Sequence, residues 1–155
     1  ANDLSIIATE WTPSGRSIIT ELARNENLEV EVGFCDLSSD KVIDLHVPLD
    51  SVIFTTGVFP CIKKLRKESF IHLAKFKPKA VVHFEPFFEE YTTSNLWDLL
   101  VQSYILKNDY NRNGLSVLEE LEKDGTIKIL KRRKAYWGIN AIFPYSILIW
   151  KPNIE

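Results

Sequence analysis

Methionine is absent from all 155 residues, and position 1 is Ala. Together these are the marks expected of a segment of a longer chain, or of a sequence from which methionines and other residues are missing. Cysteine is scarce as well. Cys35 and Cys61 stand far apart without a C-x-x-C pair, which excludes a disulfide framework and a zinc-finger pattern. His46, His72 and His83 are equally scattered, so no metal site is expected. No apolar run approaches the roughly 20 residues that a membrane-crossing helix needs. No leader of basic, apolar and small residues opens the chain, and a cytoplasmic protein without a membrane partner is expected. Neither sign of charge is in excess, with 19 Lys and Arg against 21 Asp and Glu, so the whole-molecule field does not attract a polyanion. Repeats, low-complexity tracts and linkers are missing too. Residues 1–155 are therefore expected to form one domain, long enough to bury roughly 70% of the unfolded surface.

What is present is an alternation of strand and helix patterns. Leu4–Glu10 is a short apolar run bounded by turn residues, which reads as a strand. Thr12 is placed to cap a helix with Pro13 at its first position, where the missing N–H is harmless. Ile18, Ile19, Leu22 and Ala23 then share one helical face. "NENLEVEVGFCDL" and "LDSVIFTTG" read as the second and third strands, "KESFIHLAKFK" as a helix, and "PKAVVHFEP" as the fourth strand. A long helical stretch follows, capped at Ser94 or Asn95, breaking near "NDYNRNG" and stopping at Gly125. "TIKILKRRKAYWG" and "AIFPYSILIWKP" are close enough to form an antiparallel hairpin. Continuous apolar strands alternating with amphipathic helices predict an α/β fold, a mostly parallel sheet with helices on both faces. Glu10, Asp36, Thr55, Thr56 and Glu85 all fall at C-terminal strand ends, the edge where open parallel sheets bind ligands.

In this order the elements resemble the class I S-adenosylmethionine-dependent methyltransferases from their second strand onward. "LSIIATEW" resembles the second strand with its terminal acid, "EVGFCDL" the third, "LDSVIFTTGVFPCI" the fourth and "FKPKAVVHFEP" the fifth. The final hairpin resembles the sixth and seventh strands, whose reversal separates this Rossmann-like sheet from nicotinamide-binding ones. The block "NDYNRNGLSVLEEL…GINAIFPYSILIW" is similar to a bacterial group of stand-alone small-molecule methyltransferases. The family's first strand and glycine-rich loop would precede Leu4, where this chain has three residues. The resemblance implies that they lie in a preceding segment, or that this chain does not bind cofactor alone.

The resemblance also implies roles for particular residues. Glu10 would take the ribose hydroxyls of S-adenosylmethionine, because an ionised carboxylate only accepts; the alternative is a solvated surface acid. Trp11 would offer a face to adenine, or else pack under the next helix. Asp36 would accept from the adenine amino group, with the backbone of Leu37 or Ser38 completing the recognition, or else cap a turn. Thr55, Thr56, Gly57 and Val58 would line the cofactor between sugar and sulfonium, although Gly57 also suits a plain tight turn. His83 and Glu85, two residues apart on one strand, point to the same sheet face. With Tyr110 they are the candidate catalytic bases; a core His bonded to backbone is the alternative for His83. Tyr104, Asn108, Tyr110 and Asn111 are candidates to line the acceptor site, and Tyr104, Asn108 and Asn111, spaced by four and three, would share a face if the helix runs through them. A surface loop explains the same polar residues. Cys35 reads as a small buried hydrophobe. The basic runs "CIKKLRK" and "KRRK" read as solvated faces rather than nucleic-acid contacts. The expected function is methyl transfer to an O, N or C nucleophile of a small molecule. A non-catalytic methyltransferase-like partner or scaffold subunit, and an RNA methyltransferase, are the alternatives.

Overall fold

Thr12 and Pro13 convert strand into helix at the start of the chain. In the computed structural model, which describes residues 5–39, 46–140 and 142–153, the Thr12 hydroxyl accepts from Gly15 N–H at 3.0 Å. Helix α1 (Pro13–Asn25) then crosses between β1 (Ile6–Thr9) and β2 (Val30–Gly33). A crossover is required because the two strands are parallel, with Ile6 opposite Val30 and Thr9 opposite Gly33. Gly15 permits the close approach at the corner: a Cβ there would collide with the Glu10 side chain and the Thr12 hydroxyl. The apolar face expected of α1 is only partly covered. Ala23 is buried, whereas Ile18 and Leu22 are 58% and 56% exposed. Two strands about 5 Å apart are too narrow to cover both flanks of such a helix.

These elements make up one compact unit, Ala1–Val47; the other is Pro48–Glu155. The second unit holds β3 (Val52–Thr56), β4 (Ala80–Glu85), β5 (Ile127–Asn140) and β6 (Phe143–Pro152) in the order β3-β4-β6-β5. β3 and β4 are parallel, and β6 runs against both β4 and β5. The terminal hairpin therefore has the reversal expected of it. Helix α2 (Lys67–Lys75) crosses between β3 and β4, and α3 (Leu96–Lys107) and α4 (Gly114–Lys123) connect β4 to β5.

Strand β4 alternates. Val81, His83 and Glu85 are buried on one face, where Phe70 of α2 packs on the His83 ring at 5.8 Å. Phe84 belongs to the other face, against Tyr91, Val101, Ile105, Phe143 and Tyr145, so α3 covers that side. The helical stretch breaks where expected. Helix α3 ends at Lys107, and Asp109 takes a φ of 52°. Gly125, at φ +81°, terminates the stretch after α4. Among the described residues, no helix is long and apolar enough to cross a membrane. No group of three or more His, Cys, Asp or Glu is placed among them to hold a metal.

Candidate functional site

In the first unit the strand ends present Glu10 and Asp36. The Glu10 amide extends the ladder by donating to Gly33 O at 3.0 Å. Its Oε1 accepts from the Thr12 amide at 2.8 Å and the Thr12 hydroxyl at 2.9 Å. No described residue bonds Oε2. A carboxylate with one oxygen fixed by its own backbone and the other open is a preoriented acceptor for hydroxyl groups. Trp11 is 62% exposed, so it does not pack beneath α1. Arg16 stiffens this turn by donating to the carbonyls of Glu10 and Trp11, each at 3.0 Å.

Asp36 Oδ1 accepts from the Ser38 amide at 2.8 Å and the Ser38 hydroxyl at 2.6 Å, the local turn-capping arrangement. Leu37 is buried. Partial burial pushes the Cys35 thiol up to about 11, keeping it a poor nucleophile, although the residue is half-buried rather than buried.

The second unit brings together the ends of β3 and β4. Here three expectations change. Thr55 is buried and its hydroxyl sits 2.8 Å from His83 Nδ1, so its side chain serves the core and cannot line a cofactor. His83 has no ring nitrogen to spare. Trp150 Nε1–H donates to Nε2 at 2.8 Å, which makes Nε2 the acceptor and assigns the proton to Nδ1, facing Thr55. Burial lowers the His83 pKa to about 3. His83 is a core histidine bonded to side chains, not a base at the edge. Glu85 does stand at the end of β4, on the His83 face as expected, but its carboxylate turns inward. It accepts from the amides of Val58 and Phe59, both at 3.1 Å, and thereby pins the turn that follows β3. Burial pushes its pKa up to about 7, with these amides and Thr55 partly opposing the rise.

Thr56 is exposed at the same turn. Gly57, at φ +65°, is required there twice over. A side chain would be strained at that φ, and its Cβ would stand 2.7 Å from the Tyr145 hydroxyl. Gly57→Ala is expected to destabilise the protein by about 1–2 kcal/mol, the usual cost of left-handed backbone with a Cβ. A lowered urea midpoint checks this.

The "NDYNRN" segment divides. Asn108 caps α3 and returns its amide to Tyr104 O at 2.8 Å, while Asn111 lies beyond the helix. Tyr104, Asn108 and Asn111 therefore do not share a helical face. Asn111 is buried and donates to Ile62 O at 2.9 Å. Asn113 accepts from Leu65 N at 3.1 Å and donates to Leu65 O at 2.9 Å. These asparagines brace the 62–65 loop, which removes Asn111 from the acceptor site. Tyr104 and Tyr110 stay half-buried, with ring centroids 6.1 Å apart. Burial and the Tyr104 hydroxyl push the Tyr110 pKa up. Sequence reasoning missed Tyr145 altogether. The reversal of the last strand was the available sign, because it carries the start of β6 to the end of β4, with Ser146 opposite Glu85.

No protein-family model and no curated protein sequence matches the chain. Solved structures do match in fold. A S-adenosylmethionine-dependent methyltransferase from Clostridium acetobutylicum aligns with a TM-score of 0.64 at 8% identity, over 96% of this chain and 75% of the other. The N,N-8-amino-8-demethyl-D-riboflavin dimethyltransferase RosA from Streptomyces davawensis gives 0.62 at 11%, over 96% of this chain. LepI in complex with S-adenosylmethionine gives 0.54 at 9%, over 97%. The chain spans 42% of the length of RosA and 37% of LepI. The fold is that of the class I S-adenosylmethionine-dependent methyltransferases, a Rossmann-like α/β fold.

Proposed function

We propose that the protein transfers a methyl group from S-adenosylmethionine to an O, N or C nucleophile of a small molecule. The observation that carries the reading is Glu10, a strand-end carboxylate whose Oε1 is fixed by Thr12 and whose Oε2 has no protein partner among the described residues. Glu10 takes ribose hydroxyls, the exposed Trp11 offers a ring face to adenine, and the Asp36–Leu37 turn meets the adenine edge. When bound, the cofactor supplies a methyl carbon already activated as a sulfonium: the acceptor's lone pair bonds to it while the carbon–sulfur electron pair leaves on sulfur. The chain's task is then chiefly alignment. A base is needed only where the acceptor loses a proton, and Tyr110, half-buried beyond α3, is the candidate left to serve. RosA, by its name, dimethylates a riboflavin derivative, which supports a small-molecule acceptor.

The test is calorimetric titration of the full-length protein with S-adenosylhomocysteine. Saturable binding is expected. Glu10→Ala should weaken it about 10- to 100-fold, the effect of one hydrogen-bonded charge. A folded protein that shows no binding defeats the reading. It would favour the second one, a non-catalytic partner subunit, which the 60% and 56% exposure of Val52 and Phe54 on β3 supports.

A further inference from the structure

The methyl-transfer reading leaves the acceptor undefined, and the inference here rests on that reading and deepens it. Four aromatic rings meet at the end of the second unit's sheet. Tyr104 comes from α3, Tyr110 from the loop behind it, and Phe143 and Tyr145 from the start of β6. Phe143 lies 5.4 Å from Tyr104, 5.2 Å from Tyr110 and 5.9 Å from Tyr145, centroid to centroid. Phe143 and Tyr145 are buried, while Tyr104 and Tyr110 keep part of their surface open.

The Tyr145 hydroxyl has a particular place. Tyr145 is only 6% exposed, yet its Oη makes no hydrogen bond to any described residue and is not sealed from solvent. It stands over Gly57, at the C-terminal end of β3, which is the ligand edge of an open parallel sheet. Cys61, exposed, reaches the same turn, with Sγ 3.9 Å from Gly57 O. Its thiol lies close enough to raise the pKa of both Tyr110 and Tyr145, after burial itself. Charge narrows the choice of ligand. Lys63 and Arg112, the cations nearest Cys61 and Tyr110 in the chain, are drawn onto Asp109 at 2.5 and 3.4 Å. With the neighbouring cations already paired, the open ring faces suit a neutral or cationic partner and offer an anion no counter-charge.

We propose that the methyl acceptor is a planar aromatic small molecule without negative charge, seated on Tyr104 and Tyr110 with a heteroatom hydrogen-bonded to Tyr145 Oη. Tyr145 acts as a positioning residue, and the Gly57 turn sets its distance from the edge.

Cys61 supplies the readout. Tyramine and 4-hydroxyphenylacetate share a phenol ring and differ in charge. Each is added to the full-length protein, with and without S-adenosylhomocysteine, and alkylation of Cys61 by iodoacetamide is followed by peptide mass spectrometry. Tyramine at about four times its dissociation constant is expected to slow alkylation about fivefold. 4-Hydroxyphenylacetate is expected to leave the rate unchanged, and Tyr110→Ala to abolish the tyramine effect. Equal protection by both compounds, protection by the acid alone, protection by neither, or protection that survives Tyr110→Ala would each overturn the proposal. Failure of the methyl-transfer reading is seen separately, as a flat S-adenosylhomocysteine titration, because protection by tyramine is scored without the cofactor product as well as with it.

Discussion

Glu85→Gln is expected to give the protein a stability that climbs with pH between pH 4.5 and 6.5, where in the native protein the opposing contributions of Glu85 and His83 cancel. In the folded protein Glu85 holds its proton to about pH 7, against 4.5 for a free side chain. Its contribution is complete below pH 4.5 and is lost as pH rises to about 7, because the unfolded chain ionises first. His83 works in the opposite sense. Its pKa is lowered from 6.5 to about 3, so its contribution is complete above pH 6.5 and is lost as pH falls toward 3. Each proton difference gives a slope of about 1.4 kcal/mol per pH unit. Where the windows overlap the slopes oppose. Gln at this position removes the falling slope and exposes the rising one, a change of about 2–3 kcal/mol across the overlap. Gln also meets the amides of Val58 and Phe59 with one acceptor and one donor. One N–H then loses its partner, which costs about 1–3 kcal/mol more at every pH. Urea unfolding of both proteins from pH 4.5 to 7 measures the difference, and pairs common to both, such as Asp98 with Lys134, drop out of it. Parallel curves would mean that Glu85 ionises normally in the fold.

The elements of this fold were legible because their causes are local. Thr12 and Pro13 announce a helix start by their own chemistry, and the runs through Ile7, Phe54 and Val82 read as strands because each is short, apolar and bounded by turn residues. The strand ends that form the ligand edge follow from those boundaries, which is why Glu10, Gly57 and Glu85 were found there. What each side chain does at the edge was not legible, because its partners come from far along the chain. His83 meets Trp150, 67 residues on, and Asn111 meets Ile62, 49 residues back. A histidine two residues from an edge carboxylate looks like a base until that tryptophan is in place. The apolar stripe of α1 misled in the other direction: Ile18 and Leu22 have the right period, but a two-stranded sheet offers too little surface to bury them. Tyr145 was hidden inside a segment that reads only as a strand, and its role at the edge depends on β6 running backwards.

Replacing His83 separates the two readings of that residue more sharply than any change at the edge. His83→Leu fills most of the volume but leaves the Trp150 N–H buried without an acceptor, and it takes the Nδ1–H from Thr55. An unpartnered buried donor costs about 1–3 kcal/mol and the imperfect fill adds to it, so a loss of about 3 kcal/mol is expected. Trp150→Phe made in the His83→Leu background should then cost less than in the native protein, because the orphaned donor leaves with the indole; the double-mutant cycle reads that coupling. Catalysis answers the second half. If the proposed methyl transfer holds, a core histidine with both nitrogens engaged does not touch the acceptor, so His83→Leu, assayed with saturating cofactor below its unfolding temperature, should keep that activity within about threefold of native, well short of the 100- to 10,000-fold or so that loss of a general base costs. A fully folded variant that lost activity on that larger scale would return His83 to the reaction. Nitrogen NMR gives an independent check, since the Trp150 bond requires the Nδ1–H tautomer and a ring that stays neutral down to about pH 3.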